Sequence, residues 1–374
     1  VTPEPTLVLS GSIGRGHDSV AEACAGALAG AGRPADVLDC MALLGGRGSA
    51  VGVAVFHRLI SVPSVYDAFH FSHLRTGGRL PRAMERASDR RLVPALRREL
   101  ASRPGPDPLG VSVFPTGVSA LARLKEERAA RGRALGAVAF CTDACAHRMW
   151  IHPGVDLYLT CSPLAAATVR RYDPHSALEV LPPPVRPAFF AVPDRGAARH
   201  ALGLDPDRPA VLLMGGGWGL GPLAEAAAAL ARADRTVLAV AGLNRTLERR
   251  LSDLGRRDAR IVPFGLTERV PELMAAADVV VTSPGQTCHE ARVAGRWLVI
   301  LDVVPGHGRE NALHELERGG ALACSPDPAA VAGAVAVMLA ERPEIPPWPV
   351  SSATEWDKSF LGALGSVGLG PGTG

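Results

Sequence analysis

Residues 261–311 read IVPFGLTERVPELMAAADVVVTSPGQTCHEARVAGRWLVILDVVPGHGREN. Two apolar runs inside this stretch, 278–281 and 297–301, have the length and branched side chains of buried strands. The first runs into the turn Ser283-Pro284-Gly285-Gln286-Thr287, which opens a helix carrying Glu290. The second leads to a polar loop, Pro305-Gly306-His307-Gly308-Arg309-Glu310-Asn311, and a shorter strand ending at Phe264-Gly265 precedes both. Successive strand ends of this kind share one edge of a parallel sheet, the edge at which open α/β sheets bind ligands. Glycine there lets backbone N–H groups approach a phosphate, and Glu290 is placed to accept from a ribose hydroxyl.

Outward from this stretch the same alternation runs through the chain. In the first half, strands are expected at 6–10, 34–39, 108–114, 134–141, 155–160 and 179–181, with helices at 18–31, 118–131 and 163–171. Residues 51–98 read as helical but interrupted at Pro63, Pro81 and Pro94. Pro182-Pro183-Pro184-Val185-Arg186-Pro187 is a stiff extended segment suited to joining domains. The pattern then restarts, with strands at 210–214 and 236–241 and helices at 222–232 and 244–254. Two α/β domains with parallel sheets are therefore expected, 1–185 and 186–350. A helix is expected near 354–364, and 365–374 reads as a disordered tail.

A glycine turn follows the first strand of each half. Ser10-Gly11-Ser12-Ile13-Gly14-Arg15-Gly16-His17 has the spacing G-x-x-G-x-G, unlike the dinucleotide G-x-G-x-x-G, although Asp36 and Asp39 lie about where a ribose-binding acid would. His17 stands where a helix begins, and the positive end of the helix disfavours a protonated ring. It is either a neutral general base or a cap on its own helix. Gly215-Gly216-Gly217-Trp218-Gly219-Leu220-Gly221 is the second turn, either a diphosphate cradle or a tight strand–helix connection. A third block, Thr142-Asp143-Ala144-Cys145-Ala146-His147-Arg148-Met149-Trp150-Ile151-His152, places Asp143 at a strand end. Asp143 either orients a histidine or acceptor hydroxyl or caps a turn, and Trp150 either stacks on a sugar or supports a cleft. His147 and His152 have poor metal spacing, so no metal is expected.

The 374 residues suffice for two domain cores, and a 47% hydrophobic, 21% charged composition is that of a globular protein. No apolar run reaches the ~20 residues of a membrane span. The start VTPEPTLVLSGS lacks the features of a signal peptide, so a cytoplasmic location is expected. Seven cysteines, an odd number in apolar surroundings, read as buried small residues. A net charge of +3 gives no case for nucleic acid. Between Arg75 and Arg103, however, nine arginines meet only Glu85, Asp89 and Glu99. That run is either a solvated helix face or a contact with an anionic surface.

The order Phe-Gly, L-M-A-A-A-D, P-G-x-T-x-x-E-A and P-G-x-x-x-x-N, with the two glycine turns and the T-D-x-x-x-H-x-x-W-x-H block, resembles a lipid glycosyltransferase family. It is that of the monogalactosyldiacylglycerol synthases and processive diacylglycerol glucosyltransferases, related to the N-acetylglucosaminyltransferase of the lipid-linked peptidoglycan precursor. The resemblance runs from Leu7 to about Leu316. It implies an α/β GT-B fold, two Rossmann-like domains facing across a cleft, and an inverting, metal-independent hexosyl transfer. It also implies that the helix near 354–364 returns to the first domain. A UDP-sugar would be the co-substrate, with no cofactor. On the acceptor side it implies His17 and Asp143 as catalytic, with Gly14, Gly16, His147 and Trp150 around them. For the donor it implies Gly216, Gly217, Trp218, Gly219, Asn244, Phe264, Gly265, Ser283, Gly285, Gln286, Thr287, Glu290, His307 and Asn311. The family often has Lys where Ser283 stands and Gln-Glu where His307-Gly308 stands, so the donor sugar is left open. In the lipid enzymes the stretch after the second strand faces the membrane. Here 51–74 offers Phe56, Leu59, Ile60, Val65, Tyr66, Phe69 and Phe71 before the arginines. Diacylglycerol is the acceptor this favours, with the protein peripheral on the inner face of an anionic membrane. A soluble metabolite as acceptor, and a UDP-sugar epimerase or binder, are the alternatives.

Overall fold

The structure is a computed structural model that describes residues 5–12, 15–45, 63–103, 105 and 108–370. The chain divides into two compact units, one of residues 1–184 with 352–374, the other of residues 185–351.

The first unit is built on six parallel strands, β1 Thr6–Ser10, β2 Ala35–Asp39, β3 Leu109–Ser112, β4 Gly136–Cys141, β5 Leu157–Thr160 and β6 Ala177–Val180. Their order is β2-β1-β3-β4-β5-β6. β1, β3 and β5 are buried throughout, as strands of a parallel sheet covered on both faces are. Local signals set the helix starts. Ser162 accepts from the Ala165 amide (2.9 Å) with Pro163 in the first turn of helix Pro163–Tyr172.

Pro81 and Pro94 do not interrupt the chain as expected; both lie inside one helix, Arg79–Ala101. Pro81 falls in its first turn, where an amide has no partner to lose. Pro94 removes an interior hydrogen bond at a cost of about 3 kcal/mol. The buried stripe Leu92, Val93, Leu96 and Leu100 offsets it by packing against Leu7, Leu9 and Leu121. Ahead of it stand helix Pro63–Phe69 and a π-helical turn, His70–Leu74. Phe56, Leu59 and Ile60 lie outside the described residues.

The C-terminal helix Ala353–Ser366 opens on Ser352, whose hydroxyl accepts from the Glu355 amide at 3.1 Å. It packs on helix Gly16–Gly30, stacks Trp356 on Phe140 and Phe360, and donates the Trp356 indole N–H to the Pro182 carbonyl (2.8 Å). Residues 365–370 are not a disordered tail: the helix runs to Ser366, and Arg33 Nη1 donates to the Leu369 carbonyl at 3.2 Å. Residues 371–374 are outside the described set.

The second unit holds β7 Ala210–Met214, β8 Thr236–Val240, β9 Ile261–Phe264, β10 Val279–Thr282, β11 Trp297–Leu301 and β12 Ala321–Cys324, in the parallel order β12-β11-β10-β7-β8-β9. Helices not read from the sequence include Arg195–Ala201 and Pro328–Glu341. Asp278, just before β10, accepts from Arg195, from Arg199 and from the Ala210 amide, and so pins the first of these to the sheet. Among the described residues no helix is long and apolar enough to cross a membrane.

Candidate active site

In the first unit the chain steps from β1 outward to β2, then reverses and builds β3 to β6 on the other side. Ligands of open α/β sheets settle at such a reversal, outside the carboxyl ends of the strands. The first glycine turn leaves β1 at this point. Gly11 is needed there because a Cβ would stand 2.5 Å from the Phe114 ring. Asp39, at the end of β2, accepts from the Ser12 amide (3.2 Å), the Ser12 hydroxyl (2.6 Å) and the Met41 amide (2.9 Å). It is a brace for the turn and is not set out for a ribose. Gly14 lies outside the described residues.

His17 is the second residue of helix Gly16–Gly30, whose start carries no side-chain cap. Its Nδ1 is 2.8 Å from the Val113 carbonyl at the end of β3, and its ring stands edge-on to Phe114 at 5.3 Å. A carbonyl only accepts, so Nδ1 carries the proton and Nε2 keeps the lone pair of the neutral ring. Burial lowers the imidazole below its ordinary value, against the opposing pull of Asp143, the Val113 carbonyl and Asp18. A neutral ring at neutral pH with a fixed tautomer is what a general base requires. Thr142 Oγ1 lies 3.4 Å from the same Nδ1, so the β4 end joins the group.

Asp143 follows directly. Its Oδ2 accepts from the Trp150 indole at 2.8 Å and lies 3.7 Å from His147 Nε2. Trp150 cannot stack on a sugar: it is fully buried among Val118, Ala139, Cys141, Val155 and Tyr158. It supports the fold and orients Asp143 from below. Among the described residues no group of His, Cys, Asp and Glu is arranged to hold a metal. His152 instead meets Glu85 (3.1 Å) and the Met149 carbonyl (2.9 Å).

In the second unit the reversal falls between β7 and β10. The glycine turn after β7 and the Ser283–Gln286 turn after β10 are neighbours, since a Cβ on Gly216 would stand 3.7 Å from Ser283 Oγ. Gly216 and Gly219 have φ of +66° and +60°, and a Cβ on Gly219 would stand 2.6 Å from the Ala241 carbonyl. Backbone geometry therefore demands glycine here. The Gly217 carbonyl accepts from the Leu243 amide (2.9 Å), which ties in the end of β8. The helix after this turn begins at Leu223, as its expected span of 222–232 required, so Leu220 to Pro222 separate its first amides from Gly219. Helix Gln286–Val293 does begin at its turn, with Gly285 ahead of it, no side-chain cap, and open space where a Cβ would be. Thr287 is half-buried in its first turn, and Trp218 is half-buried in the glycine turn.

Asn244 caps helix Arg245–Arg257 by accepting from the Leu247 amide at 3.0 Å. Phe264 and Gly265 lie at the end of the edge strand β9, with Phe264 packed partly into the core and Gly265 beside Glu248. The stretch from Pro305 to Asn311 is not a loop. Gly306, at φ +61°, starts a helix at His307 that runs to Glu317. His307 and Asn311, four apart, therefore share one helix face. Gly308 fits where a Cβ would lie 3.6 Å from Pro284, so this helix start abuts the Ser283 turn.

Glu290 has a partner that the sequence did not indicate. It is buried, and its Oε1 accepts from Arg186 Nε (3.2 Å) and Nη2 (3.1 Å). Burial pushes the carboxyl up to about 7 against the lowering pull of Arg186. A partner 104 residues away leaves no local signal in the sequence. A second buried network joins the two helices at this edge. His289 links Gln286 Oε1 (3.3 Å) to Glu315 (3.4 Å), and Glu315 is paired with Arg292.

No protein-family model matches the chain. Among curated proteins, the probable monogalactosyldiacylglycerol synthase 2 of Oryza sativa subsp. indica is 32% identical over 202 residues, 51% of this chain and 43% of that one. The processive diacylglycerol beta-glucosyltransferase of Bacillus subtilis (strain 168) is 29% identical over 229 residues, 60% of this chain and 58% of that one. The matched region thus spans about half the length of these relatives. Among solved structures, sucrose-phosphate synthase from Thermosynechococcus elongatus superimposes with a TM-score of 0.54 at 16% identity, covering 97% of this chain and 94% of that one. UDP-GlcNAc 2-epimerase from Neisseria meningitidis, bound to UDP-GlcNAc, does so with a TM-score of 0.58 at 10% identity, covering 97% and 100%. At these identities the likeness is one of fold, shared by transferases and epimerases alike. The chain thus has an α/β GT-B fold and, over about half its length, is similar in sequence to monogalactosyldiacylglycerol synthases and processive diacylglycerol glucosyltransferases.

Proposed function

We propose that the protein is an inverting glycosyltransferase that moves a hexose from a UDP-sugar to a lipid hydroxyl, with diacylglycerol as the acceptor. The observation that carries this reading is His17: a neutral imidazole at a sheet reversal, its tautomer set by the Val113 carbonyl so that Nε2 is the basic atom. In the proposed reaction Nε2 takes the proton of the acceptor hydroxyl as its oxygen bonds to the anomeric carbon. The bond from that carbon to the diphosphate breaks on the opposite face, which inverts the configuration. Asp143 would orient the acceptor side, fixed by Trp150 and His147.

The turns of the second unit are the proposed donor site. The glycine turn after β7 and the uncapped start of helix Gln286–Val293 would receive the diphosphate, with amide dipoles taking the role a cation plays elsewhere. Gln286, Thr287, His307 and Asn311 would face the sugar, and Glu290 the ribose. No cofactor is part of this scheme.

Acceptor class rests on the curated relatives and on one surface. Val65 and Phe71 are exposed, as are Leu80 and Met84 on the helix that carries exposed Arg79, Arg82 and Arg86. Apolar side chains flanked by arginines suit a protein seated on an anionic leaflet. Tyr66, by contrast, is buried and belongs to the fold. The test is a donor screen: UDP-glucose, UDP-galactose and UDP-N-acetylglucosamine are incubated with the protein, with and without diacylglycerol vesicles. UDP release that requires the lipid and yields a glycolipid is the expected result. Sugar epimerised without acceptor, or release only with soluble hydroxyl compounds, would overturn it.

A further inference from the structure

We infer that Arg186 is a positioning residue for nucleotide recognition: it turns Glu290 so that one carboxylate oxygen is presented to a ribose hydroxyl. This rests on the donor reading given above. Arg186 lies in the proline-rich segment 182–187 and directly precedes the short turn Pro187–Phe189. The guanidinium lies over the Phe189 ring at 4.9 Å, and Phe189 is itself buried in the core of this unit. Arg186 is therefore held from beneath as well as by its charge.

Both of its hydrogen bonds fall on Glu290 Oε1. Glu290 Oε2 has no hydrogen-bond partner among the described residues, although it is not sealed from solvent. A carboxylate anchored through one oxygen offers the other in a fixed direction, the arrangement that selects a hydroxyl over a hydrogen. The pair is also unequal in exposure, Arg186 at 37% and Glu290 at 7%, so the acid depends on the arginine for its charge more than the reverse. Arg186 is the charged group acting on Glu290, and Glu268 lies beyond it, 3.7 Å from Nη1. Glu290's own helix neighbours, His289 and Arg292, turn instead to Glu315.

A proton dependence follows. The ionised carboxylate accepts from a ribose hydroxyl with full strength, and Glu290 titrates at about 7. Recognition of the hydroxyl is thus present above that pH and fades below it. Removing the positive charge of Arg186 takes away the influence that lowers the carboxyl, so the onset of recognition moves to higher pH.

The experiment is calorimetric titration of the full chain with UDP and with 2′-deoxy-UDP, from about pH 6 to about pH 8.5. Using the ratio of the two affinities cancels titration of the phosphates. The parent is expected to prefer UDP by about tenfold or more above neutrality, the strength of a hydrogen bond to a charged acceptor, with the preference shrinking in acid. In Arg186→Gln the preference should fall several-fold at neutral pH and recover only at the alkaline end; Arg186→Lys should keep part of it. If Arg186→Gln weakens both nucleotides equally and leaves the ratio and its pH profile unchanged, Arg186 is structural and the inference is overturned. If UDP binds the parent without any preference, the ribose role of Glu290 falls and the inference with it. A parent that binds neither nucleotide refutes the donor reading itself.

Discussion

Glu315→Gln changes one charge in a buried pair and keeps its shape. The Arg292 and Glu315 side chains are 1% and 3% exposed. With the carboxylate gone, the guanidinium keeps neutral acceptors, the carbonyls of Gly319 (2.9 Å) and residue 315 (2.6 Å) and the new amide oxygen, but no counter-charge. Two routes give the size of the loss. Burial alone would raise Glu315, but the hydrogen bond and charge of His289, with Arg292, outweigh it and hold the carboxyl at about 2 against an ordinary 4.5. That difference corresponds to about 3 kcal/mol. Breaking a buried ion pair by removing one partner costs about 3–5 kcal/mol, in agreement. The sign follows from the depressed value: the contribution is present above the ordinary carboxylate range and is lost as pH falls through about 2. The assay is urea unfolding of parent and variant from neutral pH down to about pH 4. Amide exchange in β10 and β11 locates the transition in the second unit. The expected result is a deficit of about 3 kcal/mol throughout this range, since the carboxyl of the parent stays ionised down to about pH 2. The double replacement Arg292→Met with Glu315→Leu should recover most of it, because no charge is then left buried alone. A deficit below about 1 kcal/mol, or a double variant no better than the single, would refute the reasoning. His289 ties the pair to Gln286, so Glu315→Gln should also weaken UDP binding.

Three further outcomes are expected. His17→Ala should lower kcat by about 100-fold or more with UDP affinity little changed. In the parent the acid limb of kcat should fall below the ordinary histidine range, because burial lowers the ring; an unaffected turnover rate would remove His17 from the chemistry. Gly11→Ala places a methyl 2.5 Å from the Phe114 ring that flanks His17, and should cost about 1–3 kcal/mol in urea unfolding together with a drop in kcat. Vesicles with anionic lipid should co-sediment the protein and release it as salt rises; Arg79→Gln, Arg82→Gln and Arg86→Gln should each weaken that binding by about 1 kcal/mol. A parent that never sediments with them would favour a soluble acceptor.

The sequence by itself determined the repeated strand–helix alternation, the positions of the glycine turns, and the presence of a C-terminal helix. These are local properties: β7 and β11 are uninterrupted apolar runs of the expected extent, and Ser352 with Glu355 marks a helix start whatever surrounds it. The same logic misled where a long-range contact outweighs a local preference. Pro94 looked like a helix end because the stripe that holds its helix together packs on strands far away in the chain. The segment at 305–311 looked like a loop because Gly306 and Gly308 disfavour helix, yet one supplies the positive φ that starts it and the other fits beneath Val304. Only the tertiary structure decided which polar atoms meet. The tautomer of His17 depends on a carbonyl 96 residues away, and the state of Glu290 on an arginine 104 residues away. Asp39, a plausible ribose acid by spacing, braces Ser12 instead. Spacing along a chain reports which residues can share a strand end or a helix face. Which lone pair stays unpaired there is settled by the burial and hydrogen bonds that neighbouring elements impose on it.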